Sequence, residues 1–108
     1  MKNVSIFVDV DLTLVDAFGR PLENAAQGVR RLKAAGCHLF LWSTGGREYA
    51  ESVARRLGIH ECFGAFLPKP DIAIDDMPTS LRAFFDFVPG DPDEWDKMVE
   101  TILDKHVD

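Results

Sequence analysis

The chain has 108 residues, 46% apolar and 28% charged, and a net charge of −6. This suits one soluble globular domain with a single modest core, over 1–108. It argues against general nucleic-acid binding, which needs a basic face for phosphates, and no stretch is long and apolar enough to span a membrane.

The apolar run over 4–8 in "VSIFV" predicts a strand buried on both faces. It runs into "DVDLT", which sets Asp9 and Asp11 two apart at the strand end, with Thr13 behind them. Acids this near the start also speak against a signal peptide, so a cytoplasmic location is expected. The turn-rich "DAFGRPLEN", with Gly19 and Pro21, predicts a small hairpin or flap that takes in Asp16. A helix is predicted over 25–35, with Asn24 as N-cap and Gly36 as the glycine after its end.

"HLFLW" predicts a second buried strand, stopped by "STGG". A second helix spans 47–57, with Ala50, Val53, Ala54 and Leu57 at helical spacing and Gly58 closing it. "CFGAFL" predicts a third strand. "DIAI", over 71–74, predicts a fourth, ending in Asp75 and Asp76, and "RAFFDFV" a fifth. The last helix is the best marked. Asp91 is its cap, Pro92 its first position, and Glu94 completes a capping box. Trp95, Met98, Val99, Ile102 and Leu103 form its apolar stripe. Cys37 and Cys62 have no CxxC spacing and predict buried, reduced thiols. His38, His60 and His106 make no ligand pattern.

Alternating strands and helices predict an α/β fold: a three-layer, Rossmann-like parallel sheet of about five strands with helices on both faces. In such sheets ligands bind at the carboxyl ends of the strands. The reactive groups fall there: Asp9 and Asp11, then Ser43 and Thr44 with Gly45, then Asp75 and Asp76, with Lys69 just ahead of them in "PKP". Right-handed connections would gather them on one edge. Clustered carboxylates need a cation, and oxygen-only ligands suit Mg²⁺, which also lowers the barrier to an anion attacking a phosphate. Lysine adds a point charge, while a hydroxyl and a glycine-rich helix start can hold phosphate oxygens. The set fits phosphoryl transfer to a carboxylate. Each piece has a plainer reading: turn chemistry for the acid pairs, a helix start for "STGG", solvated surface for a lysine between prolines. Their joint order at successive strand ends favours the chemical one.

"FVDVDLTL", "LFLWST", Lys69 and "IAIDD" resemble, in order, the four motifs of the haloacid dehalogenase (HAD) superfamily of phosphohydrolases, over roughly residues 4–76. The resemblance implies that Asp9 is the nucleophile, forming an aspartyl-phosphate, and that Asp11 is the general acid/base, protonated when substrate is bound. It also implies that Ser43 binds the phosphoryl group, with Thr44 competing for that part, and that Lys69 steadies nucleophile and phosphoryl charge. Asp9, the Asp11 main-chain carbonyl and Asp76 would ligate Mg²⁺, with Asp75 in support. Only 29 residues separate Thr13 from Ser43, and five separate Lys69 from Asp75. The chain therefore resembles a capless member that lacks the helix before the fourth strand. Such a site is open to large substrates, or to a second subunit that covers it as a homodimer.

The function expected is Mg²⁺-dependent hydrolysis of a phosphomonoester. Two other classes compete. One is a non-catalytic remnant that binds phosphate or Mg²⁺ or serves as an interaction module. The other is a receiver-like phospho-acceptor domain, disfavoured because the second strand ends in Ser43 rather than an acceptor aspartate. A toprim-type nuclease would need a further catalytic Glu and a basic surface.

Overall fold

In a computed structural model, residues 4–76, 88–91 and 93–107 are described. The elements run β1 (Ser5–Asp9), α1 (Ala25–Ala34), β2 (His38–Ser43), α2 (Arg47–Arg56), a 3₁₀ turn (His60–Cys62), β3 (Phe63–Pro68) and α3 (Trp95–His106). The three strands form one parallel sheet in the order β1-β2-β3. Register pairs Val8 with Leu41 and Asp9 with Trp42, then Trp42 with Leu67 and Ser43 with Pro68. All three strands therefore finish together.

One sheet face is covered. Leu39, Leu41 and Ser43 of β2 are buried, while the alternating His38, Phe40 and Trp42 are exposed or half-buried. Right-handed crossovers joining strands in the order 1-2-3 carry both helices to the same face. Helix α1 buries Ala25, Gly28, Val29 and Leu32, and α2 buries Ala50, Val53 and Ala54, both at helical spacing. Phe7 packs at a tilt against Phe40 and meets Trp42 edge-on, with centroids 5.1 and 5.0 Å apart, on the opposite face. Among the described residues, then, helices lie on one face only, and the expected three layers and five strands are not present.

The expected fourth strand is a correction. Residues 71–74 take no strand conformation, and Ile72 and Ile74 are 82% and 99% exposed. Parallel strands need a crossover of about a dozen residues. Only Lys69 and Pro70 stand between β3 and this segment, too few for it to join the sheet as a further parallel strand. Of the fifth strand, expected over 82–88, residues 82–87 lie outside the described residues, and Val88 is not in a strand.

Both helix ends follow the expected glycines. After α1, Gly36 N–H donates to the Lys33 carbonyl and Cys37 N–H to that of Leu32, with Gly36 at φ 93°. After α2, Gly58 donates to Arg55 and Ile59 to Ala54, with Gly58 at φ 73°. Each pair of bonds is a Schellman motif, which needs a left-handed residue at that point. The start signals fared worse. Asn24 sits at the α1 N-cap but at φ 65° and without a side-chain cap bond. Helix α3 begins at Trp95, so Glu94 is its N-cap rather than part of a capping box. Asp91 instead closes the preceding turn, its Oδ1 accepting from Asp93 N–H at 3.1 Å. Pro92 lies outside the described residues.

The core is continuous across sheet, helices and hairpin, from Val8, Val10, Leu14 and Val15 to Trp95, Val99 and Ile102. Cys37 and Cys62 lie in it as free thiols, and burial pushes both above the usual thiol value. Helix α3 reaches α1 at Gly28, where a Cβ would come within 2.5 Å of the Trp95 ring and 3.2 Å of Val99.

That contact sets up a test. Gly→Ala inside a helix ordinarily stabilises by about 1 kcal/mol. Here the new methyl overlaps a rigid ring, and overpacking costs about 1–3 kcal/mol. Gly28→Ala is expected to lower the urea midpoint, and in a Trp95→Leu background to raise it.

Candidate active site

The carboxyl ends of the strands carry the reactive groups. Asp9 is the last residue of β1 and is half-buried. Lys69 follows β3 directly, and its N–H donates to the Ser43 carbonyl at 3.0 Å, extending the ladder by one residue. Its side chain crosses the end of β2, bringing Nζ within 3.2 Å of Asp9 Oδ1. On the way it passes 5.9 Å from the centre of the Trp42 ring. Parallel register thus sets the sequence-distant Asp9, Ser43 and Lys69 on one edge, as expected.

The two hydroxyls are placed differently. Ser43 shares the covered face with Leu39 and Leu41, is 1% exposed, and its Oγ accepts from Gly45 N–H at 3.0 Å. Thr44, one residue on, is exposed. Strand alternation decides this: position 43 points to the core, and the chain leaves the sheet after it. Gly45 has its own constraint, since a Cβ there would lie 2.9 Å from the Tyr49 ring.

Asp11 lies beyond the strand, in a tight loop. The Val10 carbonyl accepts from Leu14 N–H at 2.8 Å and from Thr13 at 3.3 Å, while Leu12 N–H donates to Val15. Leu12 is held at φ 60°, where a non-glycine side chain costs about 1–2 kcal/mol. The Trp95 indole N–H donates to the Thr13 carbonyl at 2.7 Å, so α3 braces this loop. The expected flap is a small hairpin in which Val15 bridges Pro21. Its hub is Asp16, whose Oδ1 accepts from the N–H groups of Phe18 and Arg20. The Arg20 amide, ahead of the Phe18 amide and the Arg20 charge, holds the Asp16 carboxyl below its ordinary value. Phe18, at the tip, is 82% exposed.

Tyr49 of α2 reaches this loop from the other side. Its O–H donates to Asp11 Oδ1 at 2.6 Å. That bond, then burial and the Asp11 charge, push the phenol above its usual value against the opposing pull of Arg56. From sequence, Arg47 and Tyr49 are only residues just after "STGG" that could line an entrance, with a surface helix face the plainer reading. Nothing in the one-dimensional pattern shows that this face looks across to Asp11.

Asp75 and Asp76 are exposed beyond the unformed fourth strand. Among the described residues, no group of three or more His, Cys, Asp or Glu side chains is arranged to hold a metal. The expected four-acid set is therefore not gathered. Asp9 and Asp11 at one strand end still suit Mg²⁺, which binds through one or two carboxylates, waters and a phosphate. No family model, curated protein or solved structure matches this sequence.

Tyr49 is the single tyrosine of the chain, so its ultraviolet absorbance titrates it alone. The midpoint is expected above about 10, the ordinary tyrosine value, and to fall in Asp11→Asn. A wild-type midpoint at or below 10 contradicts the contact. Asp16 gives a second test. Its folded value is lowered, so its contribution is complete above the unfolded value of about 3.9 and lost as pH falls through the lower folded value. Amide signals of Phe18 and Arg20 are expected to shift across that acid window, and Asp16→Asn to abolish the shift.

Proposed function

We propose that the protein is a Mg²⁺-dependent phosphatase acting on a phosphomonoester, with Asp9 as nucleophile and Asp11 as general acid/base. The observation that carries this reading is the Lys69–Asp9 contact at 3.2 Å, made across three adjacent strand ends. An exposed ion pair stabilises a fold by only about 0–1 kcal/mol. A cation set against a carboxylate at the ligand-binding edge of a parallel sheet makes better sense as chemistry. The ordered likeness of "FVDVDLTL", "LFLWST", Lys69 and "IAIDD" to the HAD phosphohydrolase motifs points the same way. Between Thr13 and Ser43 the hairpin, α1 and β2 take up the chain, so the likeness is to a capless member, a departure from the family's usual inserted cap.

In this reading the Asp9 carboxylate attacks phosphorus and the bond to the ester oxygen breaks. A proton held on Asp11 passes to that oxygen, releasing the alcohol. Asp11, now ionised, takes a proton from water as water attacks the aspartyl-phosphate, freeing Asp9 and inorganic phosphate. Lys69 keeps the Asp9 carboxylate aimed and faces the phosphoryl charge. The exposed Thr44 hydroxyl, rather than the buried Ser43, is suited to a phosphoryl oxygen, and Ser43 shapes the loop through Gly45. The first amides of α2, which has no side-chain cap, favour an anion at the same edge. Mg²⁺, held by Asp9 and the Asp11 carbonyl, would supply charge neutralisation, with waters and a phosphate oxygen in its remaining positions rather than the expected Asp75 and Asp76. The enzyme would be cytoplasmic, in keeping with two free cysteines, and its uncapped site leaves room for a covering subunit.

One observation favours a second reading. The scattered acids suit a phosphate-binding module without turnover. Assay with Mg²⁺ on p-nitrophenyl phosphate and a panel of phosphomonoesters separates the two. Turnover is expected to need Mg²⁺, to fall to background in Asp9→Asn, and to drop about 10²–10³-fold in Lys69→Met. Wild-type rates equal to those of Asp9→Asn on every substrate would leave only the binding module.

A further inference from the structure

Helix α2 grips the loop that carries Asp11 at two points. Tyr49 O–H donates to Asp11 Oδ1 at 2.6 Å, and Arg56 Nη1 donates to the Gly19 carbonyl at 2.8 Å. The two residues are seven apart and so lie on one helix face. Between their contacts runs the segment that holds the strained Leu12, the Thr13 carbonyl taken by Trp95, and the Asp16 hairpin. Asp11 is exposed and lies beyond the end of β1. A general acid must reach the leaving oxygen within hydrogen-bond distance, so an unrestrained side chain would spend most of its time out of reach.

We propose that Tyr49 is the positioning residue for Asp11, aiming its carboxyl group at the ester oxygen. The inference rests on the phosphatase reading. The ring is itself held, because it packs where a Gly45 Cβ would come within 2.9 Å. A side chain at position 45 would need the Tyr49 ring or the loop to shift, which accounts for a glycine between Thr44 and the N-cap Gly46. Arg56 anchors the far end of the same loop. The phenol transfers no proton in this scheme. It donates one hydrogen bond to Oδ1, which leaves Oδ2 to carry the proton that goes to the leaving oxygen.

A positioned acid matters in proportion to how badly the leaving group needs a proton. p-Nitrophenolate departs with little help, whereas an alkoxide needs protonation as the bond breaks. Tyr49→Phe keeps the ring and deletes the donor. Its kcat is to be compared with wild type on p-nitrophenyl phosphate and on an alkyl phosphomonoester such as glycerol phosphate. The loss on the alkyl ester is expected to exceed the loss on the aryl ester by about tenfold or more, with unchanged melting. Asp11→Asn is expected to show the same bias, more strongly. Equal losses on both substrates, or none on either, overturn the role of Tyr49 while wild-type turnover still depends on Asp9. Wild type without Asp9-dependent turnover overturns the phosphatase reading and the role with it.

Discussion

Parallel pairing on both edges of β2 is the constraint on which the site depends. Because β1 and β3 run in the same direction as β2 and in matched register, Asp9, Ser43 and Lys69 end at one level. Backbone pairing sets residues 60 positions apart in the chain close enough for a 3.2 Å side-chain contact. The helices serve the same end. Their Schellman termini return the chain to the sheet without wasted residues, so each crossover is short and the next strand begins in register.

Beyond the strand ends, the site is held from the sides. Helix α3 braces the loop after Asp9 through Trp95, and α2 braces it through Tyr49 and Arg56. The main chain in between contains a leucine at positive φ, an arrangement that persists only where surroundings enforce it. Strain of this kind collects where geometry matters more than local comfort. The open sheet face, with Phe7, Phe40 and Trp42, is the counterpart: there, packing demands little and the side chains stay half-exposed.

Much of this was legible in the chain. Continuous apolar runs marked β1, β2 and β3, but they suggested burial on both faces, whereas Phe7, Phe40 and Trp42 are apolar residues on the face that no helix covers among the described residues. Gly36 and Gly58 marked two helix ends to within a residue. Strand ends pointed to Asp9, Ser43 and Lys69 as neighbours. "DIAI" misled because alternation says nothing about whether a strand can be reached, and two residues cannot cross a sheet. Ser43 and Thr44 were not separable by type. Their difference comes from the parity of the strand, since position 43 still faces the core. Tyr49 was visible as a residue near the site but not as a partner of Asp11. That contact depends on the rotation of α2 about its axis, which is set by the packing of Ala50, Val53 and Ala54.

The bond from the Trp95 indole to the Thr13 carbonyl spans 82 positions. It ties the loop behind Asp9 to α3, and loop closure of that length comes late in folding. A chain emerging from the ribosome would display β1, with its two acids, long before it could make α3. Until then Leu12 would have no brace from that side and little reason to hold its left-handed turn. Bracing of the loop behind Asp9 is therefore coupled to the synthesis of Trp95, 82 positions after the carbonyl it holds.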